Sequence, residues 1–143
     1  MIAKVLLVDD ESPFVEALAK RLTLREIQVS IALSGPEALE KLGKEPSIDV
    51  VVLDVKMPGM DGIETLKAIK NRYPLIEIIM LTGHATVESA IDGMKVGALD
   101  YLMKPCDMDV LMAKVREAKN KKAAQEAKIA EARAMQIVLR RGD

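Results

Sequence analysis

Asp9-Asp10, Asp54 and Lys104 each stand just past a stretch of apolar residues, and Thr82 ends a fourth such stretch. The stretches are Val5-Leu6-Leu7-Val8, Val50-Val51-Val52-Leu53, Tyr101-Leu102-Met103 and Ile76 to Leu81. Short aliphatic runs of this kind read as buried strands of a parallel sheet. In open α/β folds the carboxyl ends of such strands form the edge where ligands bind. Carboxylates converging there repel one another unless a cation sits among them. The arrangement therefore predicts a divalent metal and an anion that the metal, Lys104 and Thr82 hold together. Mg²⁺ takes oxygen ligands, usually one or two carboxylates with waters and a phosphate oxygen, and Asp9, Asp10 and Asp54 can supply the protein's share. A carboxylate held beside a metal and an ammonium can attack phosphorus and become an aspartyl phosphate. Asp54 ends the strand lying between the acid pair and the lysine, which makes it the expected nucleophile. Gly83, behind Thr82, lets a backbone amide approach closely. The chain has no Gly-rich nucleotide loop of the Walker or dinucleotide type. The expected phosphoryl donor is thus a phosphorylated protein side chain or a small activated phosphate.

The elements that must position these groups alternate, strand-like and helix-like, five times along the chain, the signature of βαβ units. The predicted strands are Lys4 to Asp9, Val29 to Ala32, Asp49 to Leu53, Ile76 to Leu81 and Asp100 to Lys104. A helix starts at Ser12-Pro13, with Ser12 as cap and Pro at the first helical position. Ser34 and Glu37 are spaced as a capping box for the next. The turn from Met57 to Gly62 leads into a helix over Ile63–Arg72, and another over Val87 to Lys95 is stopped by Gly97. Asp107 caps the last helix. Right-handed crossovers put helices on both faces of the sheet.

From Asp107 to Arg141 there is neither Pro nor Gly. Leu111, Val115 and Ala118 are spaced to dock the first turns, and Asn120-Lys121-Lys122 marks the end of the docked stripe. Ala123, Ala127, Ala130, Ala134 and Ile137 then recur at spacings of 4, 3, 4 and 3, as in a heptad seam. The division expected is a domain over 1–120 and a helical extension over 121–143, which can pair with a second copy or serve as a linker.

With 143 residues, half of them hydrophobic but only one Phe, two Tyr and no Trp, the chain is one domain with an aliphatic core. Residues 1–106 carry 12 basic and 16 acidic side chains, net −4; residues 107–143 carry 9 and 6, net +3. That balance suits metal binding in the body and argues against direct nucleic-acid contact. Cys106 is the single cysteine, a filler rather than a catalyst, and no disulfide forms within the chain. No apolar stretch is long enough to cross a bilayer, and Met1 runs directly into a strand without a signal peptide, so a cytoplasmic setting is expected.

The segments Val8-Asp9-Asp10, Leu53-Asp54-Val55-Lys56-Met57-Pro58-Gly59-Met60-Asp61-Gly62, Leu81-Thr82-Gly83 and Asp100-Tyr101-Leu102-Met103-Lys104-Pro105 occur in an order and at intervals that closely resemble the receiver domain of two-component response regulators. The resemblance covers about residues 1–120, and the Thr82 to Pro105 stretch is most similar to receivers of the nitrogen-regulation type. It implies a flavodoxin-like sheet of order 2-1-3-4-5, with Asp54 accepting a phosphoryl group from a sensor histidine kinase or phosphotransfer protein. It also implies Mg²⁺ bound by Asp10, Asp54 and the Lys56 carbonyl, with Asp9 assisting through water. By the same resemblance Thr82 and Lys104 hold the phosphoryl oxygens, aided by the backbone amides of Val55, Lys56 and Gly83. Thr82 and Tyr101 form the switch pair that remodels the face of the fourth helix, fifth strand and fifth helix, and the Lys104-Pro105 bond is cis. His84, two residues after Thr82, is placed to tune how long the phosphoryl group lasts.

The expected function is a phosphorylation-driven binding module that turns over no metabolite and signals to a protein partner. Most relatives continue into an output domain, so a receiver-plus-linker piece of a larger transcriptional regulator is the alternative to a stand-alone receiver, the form favoured here. An alternative of another class is a small Mg²⁺-dependent phosphatase with an aspartyl-phosphate intermediate. Such enzymes want a general acid two residues after the nucleophile, and Lys56 occupies that position.

Overall fold

Each apolar run and each capped helical segment becomes one element in the computed structural model, which describes residues 2–83 and 86–141. The order is β1 (Ala3–Val8), α1 (Ser12–Thr23), β2 (Ile27–Ala32), α2 (Gly35–Lys44), β3 (Val50–Leu53), α3 (Gly62–Arg72), β4 (Glu77–Thr82), α4 (Val87–Val96), β5 (Asp100–Met103) and α5 (Met108–Arg140). The strands form one all-parallel sheet ordered β2-β1-β3-β4-β5, the predicted flavodoxin-like fold.

Successive strand residues point to opposite faces, so β1, β3 and β4 feed two separate cores. Val5, Leu7, Val50, Val52, Ile79 and Leu81 pack with α1 and α5 through Val15, Leu18, Leu22, Leu111 and Val115. Leu6, Val8, Val51, Leu53, Ile78 and Met80 pack with α2 and α3 through Ala38, Leu42, Leu66 and Ile69. Strands buried on both faces need unbroken apolar runs, which is why β3 reads Val-Val-Val-Leu. The edge strand β2 is only partly buried between its two ends.

Several helix starts depart from expectation. Glu11, not Ser12, takes the cap position of α1 and makes no side-chain cap bond, while Ser12 Oγ donates to Glu16 Oε1 at 3.3 Å. The cause lies upstream: Glu11 N–H donates to Asp9 Oδ1 at 2.9 Å, folding the chain back and starting the helix one residue early. At α2, Ser34 accepts from Glu37 N–H as predicted, but the Glu37 carboxylate takes the Leu33 N–H rather than that of Ser34. Gly97, at φ +121°, stops α4, and Asp107 caps α5 by accepting from Asp109 N–H at 2.8 Å. The Lys104-Pro105 bond is cis.

The helix α5 runs unbroken for 33 residues. Its docked stripe extends one turn further than the Asn120-Lys121-Lys122 sequence suggests. Lys122 is buried, its ammonium donating to the Ile48 carbonyl and to Asp49 Oδ1, both at 3.2 Å. A lysine can be buried where a carboxylate and a carbonyl meet its head. Ala123, Ala127, Ala130, Ala134 and Ile137 lie on the exposed length beyond it.

Candidate functional site

Strand register assembles the site. Val8 pairs with Leu53, so Asp9 and Asp54 come side by side one residue beyond, and Asp54 N–H donates to the Val8 carbonyl at 2.9 Å. Thr82 pairs with Met103, and Lys104 N–H donates to the Thr82 carbonyl at 2.9 Å. The order of the sheet reverses between β1 and β3, which is where open α/β sheets leave a crevice. Gly62 closes the floor: its N–H donates to the Val55 carbonyl at 2.7 Å, and a Cβ there would lie 2.2 Å from the Asp54 carbonyl oxygen. Only glycine lets the loop from Val55 to Asp61 return this tightly beneath Asp54.

Asp54 is 1% exposed. Its Oδ1 accepts from the Val55 N–H at 2.8 Å, whereas Oδ2 has no hydrogen-bond partner among the described residues and lies 3.6 Å from Lys104 Nζ. The tighter partner of Lys104 is Asp9 Oδ2 at 2.7 Å, with Glu11 Oε1 at 3.7 Å. The ammonium also sits 4.1 Å from the centroid of the Phe14 ring. Burial is the largest influence on Asp9 and lifts its pKa above the ordinary carboxylate value, reinforced by Asp54 and opposed by Lys104 and the Glu11 N–H. Burial works against the Lys104 ammonium, yet its hydrogen bond to Asp9 and the charges of Asp54, Asp9 and Glu11 raise its pKa overall.

Carboxylate oxygens of Asp9, Glu11 and Asp54 lie within 4.8 Å of one another. Three acids facing one lysine leave negative charge in excess at a partly dry site, and one buried carboxylate oxygen is unmatched. An all-oxygen set of this kind fits a hard divalent cation. Glu11 is the member that sequence reasoning missed; it sits in an acidic run, and only the bend over Asp9 turns it inward. Asp10 is exposed and outside this converging set. Lys56 and Gly83 are exposed and Val55 is half-buried beside Asp54. The Val55 amide, expected to serve a phosphoryl group, here serves Asp54 itself.

Thr82 is fully buried at the end of β4. Tyr101 is half-buried on β5, and its Oη lies 2.8 Å from Ser89 Oγ. Ser89 belongs to the capping box that starts α4, where Thr86 Oγ1 accepts from its N–H and Ser89 Oγ accepts from the Thr86 N–H. His84 lies outside the described residues. Cys106 is half-buried, and burial and the Asp107 charge push its thiol pKa up, as suits a filler.

A family model for the response regulator receiver domain matches residues 5–116. The chain belongs to that family. The receiver is 42% identical over 114 residues to transcriptional regulatory protein ZraR of Escherichia coli K12, an alignment covering 80% of this chain and 26% of that protein. To the DNA-binding transcriptional regulator NtrC of Klebsiella pneumoniae it is 38% identical over 112 residues, 78% of this chain and 24% of the relative. The chain thus spans about a quarter of the length of these curated relatives. Among solved structures it resembles a response regulator receiver domain protein from Clostridium thermocellum, with TM-score 0.82 and 37% identity over 86% of this chain and 98% of that one. NtrX from Brucella abortus matches at TM-score 0.81 and 26% identity, covering 92% of this chain and 30% of that one.

Proposed function

We propose that this receiver takes a phosphoryl group on Asp54 from the phosphohistidine of a sensor kinase or phosphotransfer protein. The observation that carries the reading is the excess of acid over cation around Asp54: the carboxylates of Asp9, Glu11 and Asp54 converge on the one ammonium of Lys104, and Asp54 Oδ2 is buried among them with no hydrogen-bond partner among the described residues. An oxygen in that position is costly in a resting protein and useful as a nucleophile. The Asp54 carboxylate attacks phosphorus, the bond from phosphorus to the donor nitrogen breaks, and that nitrogen keeps the electron pair. Asp9 and Asp54, with Glu11 or Asp10 and the Lys56 carbonyl, would hold Mg²⁺, which neutralises charge on the phosphoryl oxygens. Lys104 turns from Asp9 toward those oxygens, Thr82 offers its hydroxyl, and the amides of Val55, Lys56 and Gly83 are within the same loops.

Phosphorylation adds nearly two negative charges at this edge of the sheet. Movement of Thr82 toward them opens room that Tyr101 fills, and leaving Ser89 frees the start of α4. The face of α4, β5 and α5 already exposes Val87, Ile91, Met94, Met103 and Val110, so a downstream protein partner has apolar surface to meet. Beyond Lys122 the receiver's α5 exposes Ile129, Met135, Ile137, Val138 and Leu139, a surface suited to pairing with a second copy. The names and lengths of the curated relatives favour a second reading of the setting, in which this receiver and its helix serve a larger transcriptional regulator. No helix among the described residues is long and apolar enough to cross a membrane.

Intact-protein mass spectrometry after incubation with Mg²⁺ and acetyl phosphate tests the chemistry. One added phosphoryl group, absent without Mg²⁺ and absent in Asp54→Asn, is the expected result. Steady hydrolysis of acetyl phosphate with no adduct would favour the phosphatase class instead.

A further inference from the structure

Phe14 is the only phenylalanine in the chain. It is the third residue of α1, half-buried against the core shared by α1 and α5. With Leu18 and Leu81 it lines two spaces. One is the narrow gap beside Asp9 and Asp54; the other is a cleft of about 150 Å³ between α1 and α5. The ring lies under the Lys104 ammonium, 4.1 Å from centroid to Nζ.

In the resting site Lys104 has three carboxylates within 4.0 Å and no need of a ring to hold it. The need arises when those partners change. A divalent cation among the acids competes with Lys104 for Asp9, and a phosphorylated Asp54 presents its negative charge further from the sheet. A salt bridge fixes direction, but an aromatic face attracts a cation anywhere above it. An ammonium resting on Phe14 can therefore turn from Asp9 to a phosphoryl oxygen without passing through water. The geometry points to Phe14 as a positioning residue that keeps Lys104 lodged over the pocket while its anionic partner is exchanged. This rests on the reading of Asp54 as phosphoryl acceptor. A purely packing role for Phe14 makes a different forecast, because leucine preserves apolar bulk and lacks the π face, whereas tyrosine and tryptophan keep it.

The first test needs neither metal nor phosphate. In the NMR spectrum of the metal-free protein, the Lys104 side-chain methylene protons should be shifted upfield by the ring and show cross-peaks to the Phe14 ring protons. Both should vanish in Phe14→Leu. The second test follows the rate of phosphorylation by acetyl phosphate with Mg²⁺. Phe14→Leu should slow it by about threefold to thirtyfold, the range of a partly desolvated cation–π contact, while Phe14→Tyr and Phe14→Trp stay within about twofold of wild type. Should Phe14→Leu fail to fold, Phe14→Met asks the same question. An unshifted Lys104 in the wild type overturns the contact. A Leu variant as fast as wild type, or Tyr and Trp variants as slow as Leu, reduces Phe14 to packing and overturns the proposal. A wild type that takes no phosphoryl group while Lys104 keeps its upfield shift refutes the acceptor reading, and the exchange of partners falls with it.

Discussion

At the C-terminal edge of the sheet two buried acids, Asp9 and Asp54, share the single ammonium of Lys104, with Glu11 reaching in from outside. At the N-terminal edge two other strand-end acids, Asp49 and Glu77, are met by four lysines. Lys119 and Lys122 approach Asp49 at 3.8 and 3.2 Å, and Lys70 and Lys121 approach Glu77 at 3.6 and 3.5 Å. Among the described residues each edge even holds one buried carboxylate oxygen without a hydrogen-bond partner, Asp54 Oδ2 above and Glu77 Oε2 below. An unmatched oxygen alone is thus a poor guide to a site. The sign of the local excess separates the two edges: where acids outnumber cations there is room for a metal and a phosphoryl group, and where lysines outnumber acids the same ingredients staple α3 and α5 to the sheet.

The largest way to break this contrast is Asp54→Asn. It should abolish phosphoryl incorporation and raise the thermal midpoint by about 2–4 °C, because one buried acid of a repelling pair becomes neutral. Calorimetry beside mass spectrometry checks both, and a lower midpoint would mean that Asp54 stabilises the resting fold. At the other edge Glu77→Ala should do the reverse. Leaving Lys70 half-buried without its carboxylate should cost about 3 kcal/mol in urea unfolding, with the phosphorylation rate unchanged. Loss of activity there would show that the two edges are not independent.

Much of this was legible in the chain, for a physical reason. Strands buried on both faces leave no choice of residue type, so Val50 to Leu53 and Ile78 to Leu81 announce themselves, and an acid or lysine directly after such a run stands out. Groups that rely on a distant partner do not. Lys122 reads as the end of a docked stripe because nothing local shows that Asp49, 73 residues away, will meet it. Glu77 is the one charged residue inside the predicted strand from Ile76 to Leu81, and nothing local shows that Lys70 and Lys121 will meet it, yet it is 1% exposed. Glu11 enters the acid cluster only through a bend held by Asp9. Capping went astray at Ser12 for the same reason, since the loop's bond to Asp9 outweighed the local preference.

A smaller effect tests whether the upper edge alone is built to move. Ser89→Ala removes the partner of Tyr101 Oη and half of the α4 capping box, at a cost of about 1 kcal/mol. Hydrogen exchange should quicken over the first turn of α4 and stay unchanged in the turn of Lys119 to Lys122. The smallest effect lies in alkali. Burial holds the Lys70 pKa below its ordinary 10.5 despite Glu77, so between that lowered value and 10.5 the unfolded chain binds more protons and stability rises with pH. The Lys104 pKa is raised above 10.5, so its contribution is complete below 10.5 and is lost as pH climbs through the folded value. Urea midpoints across the alkaline range should lose the upward component in Lys70→Met and the downward one in Lys104→Met. Parallel curves for the two variants would erase the distinction.

The 33-residue α5 has one more consequence. Its root is gripped at the sheet by Lys122, and about 18 largely exposed residues continue beyond it, a rod of about 27 Å at 1.5 Å per residue. A tilt of only about 10° at the grip would sweep the far end sideways by about 5 Å, roughly one helical turn. A change too slight to disturb the aliphatic core thus becomes, at the tip, a displacement large enough to bring two such rods into register or throw them out of it.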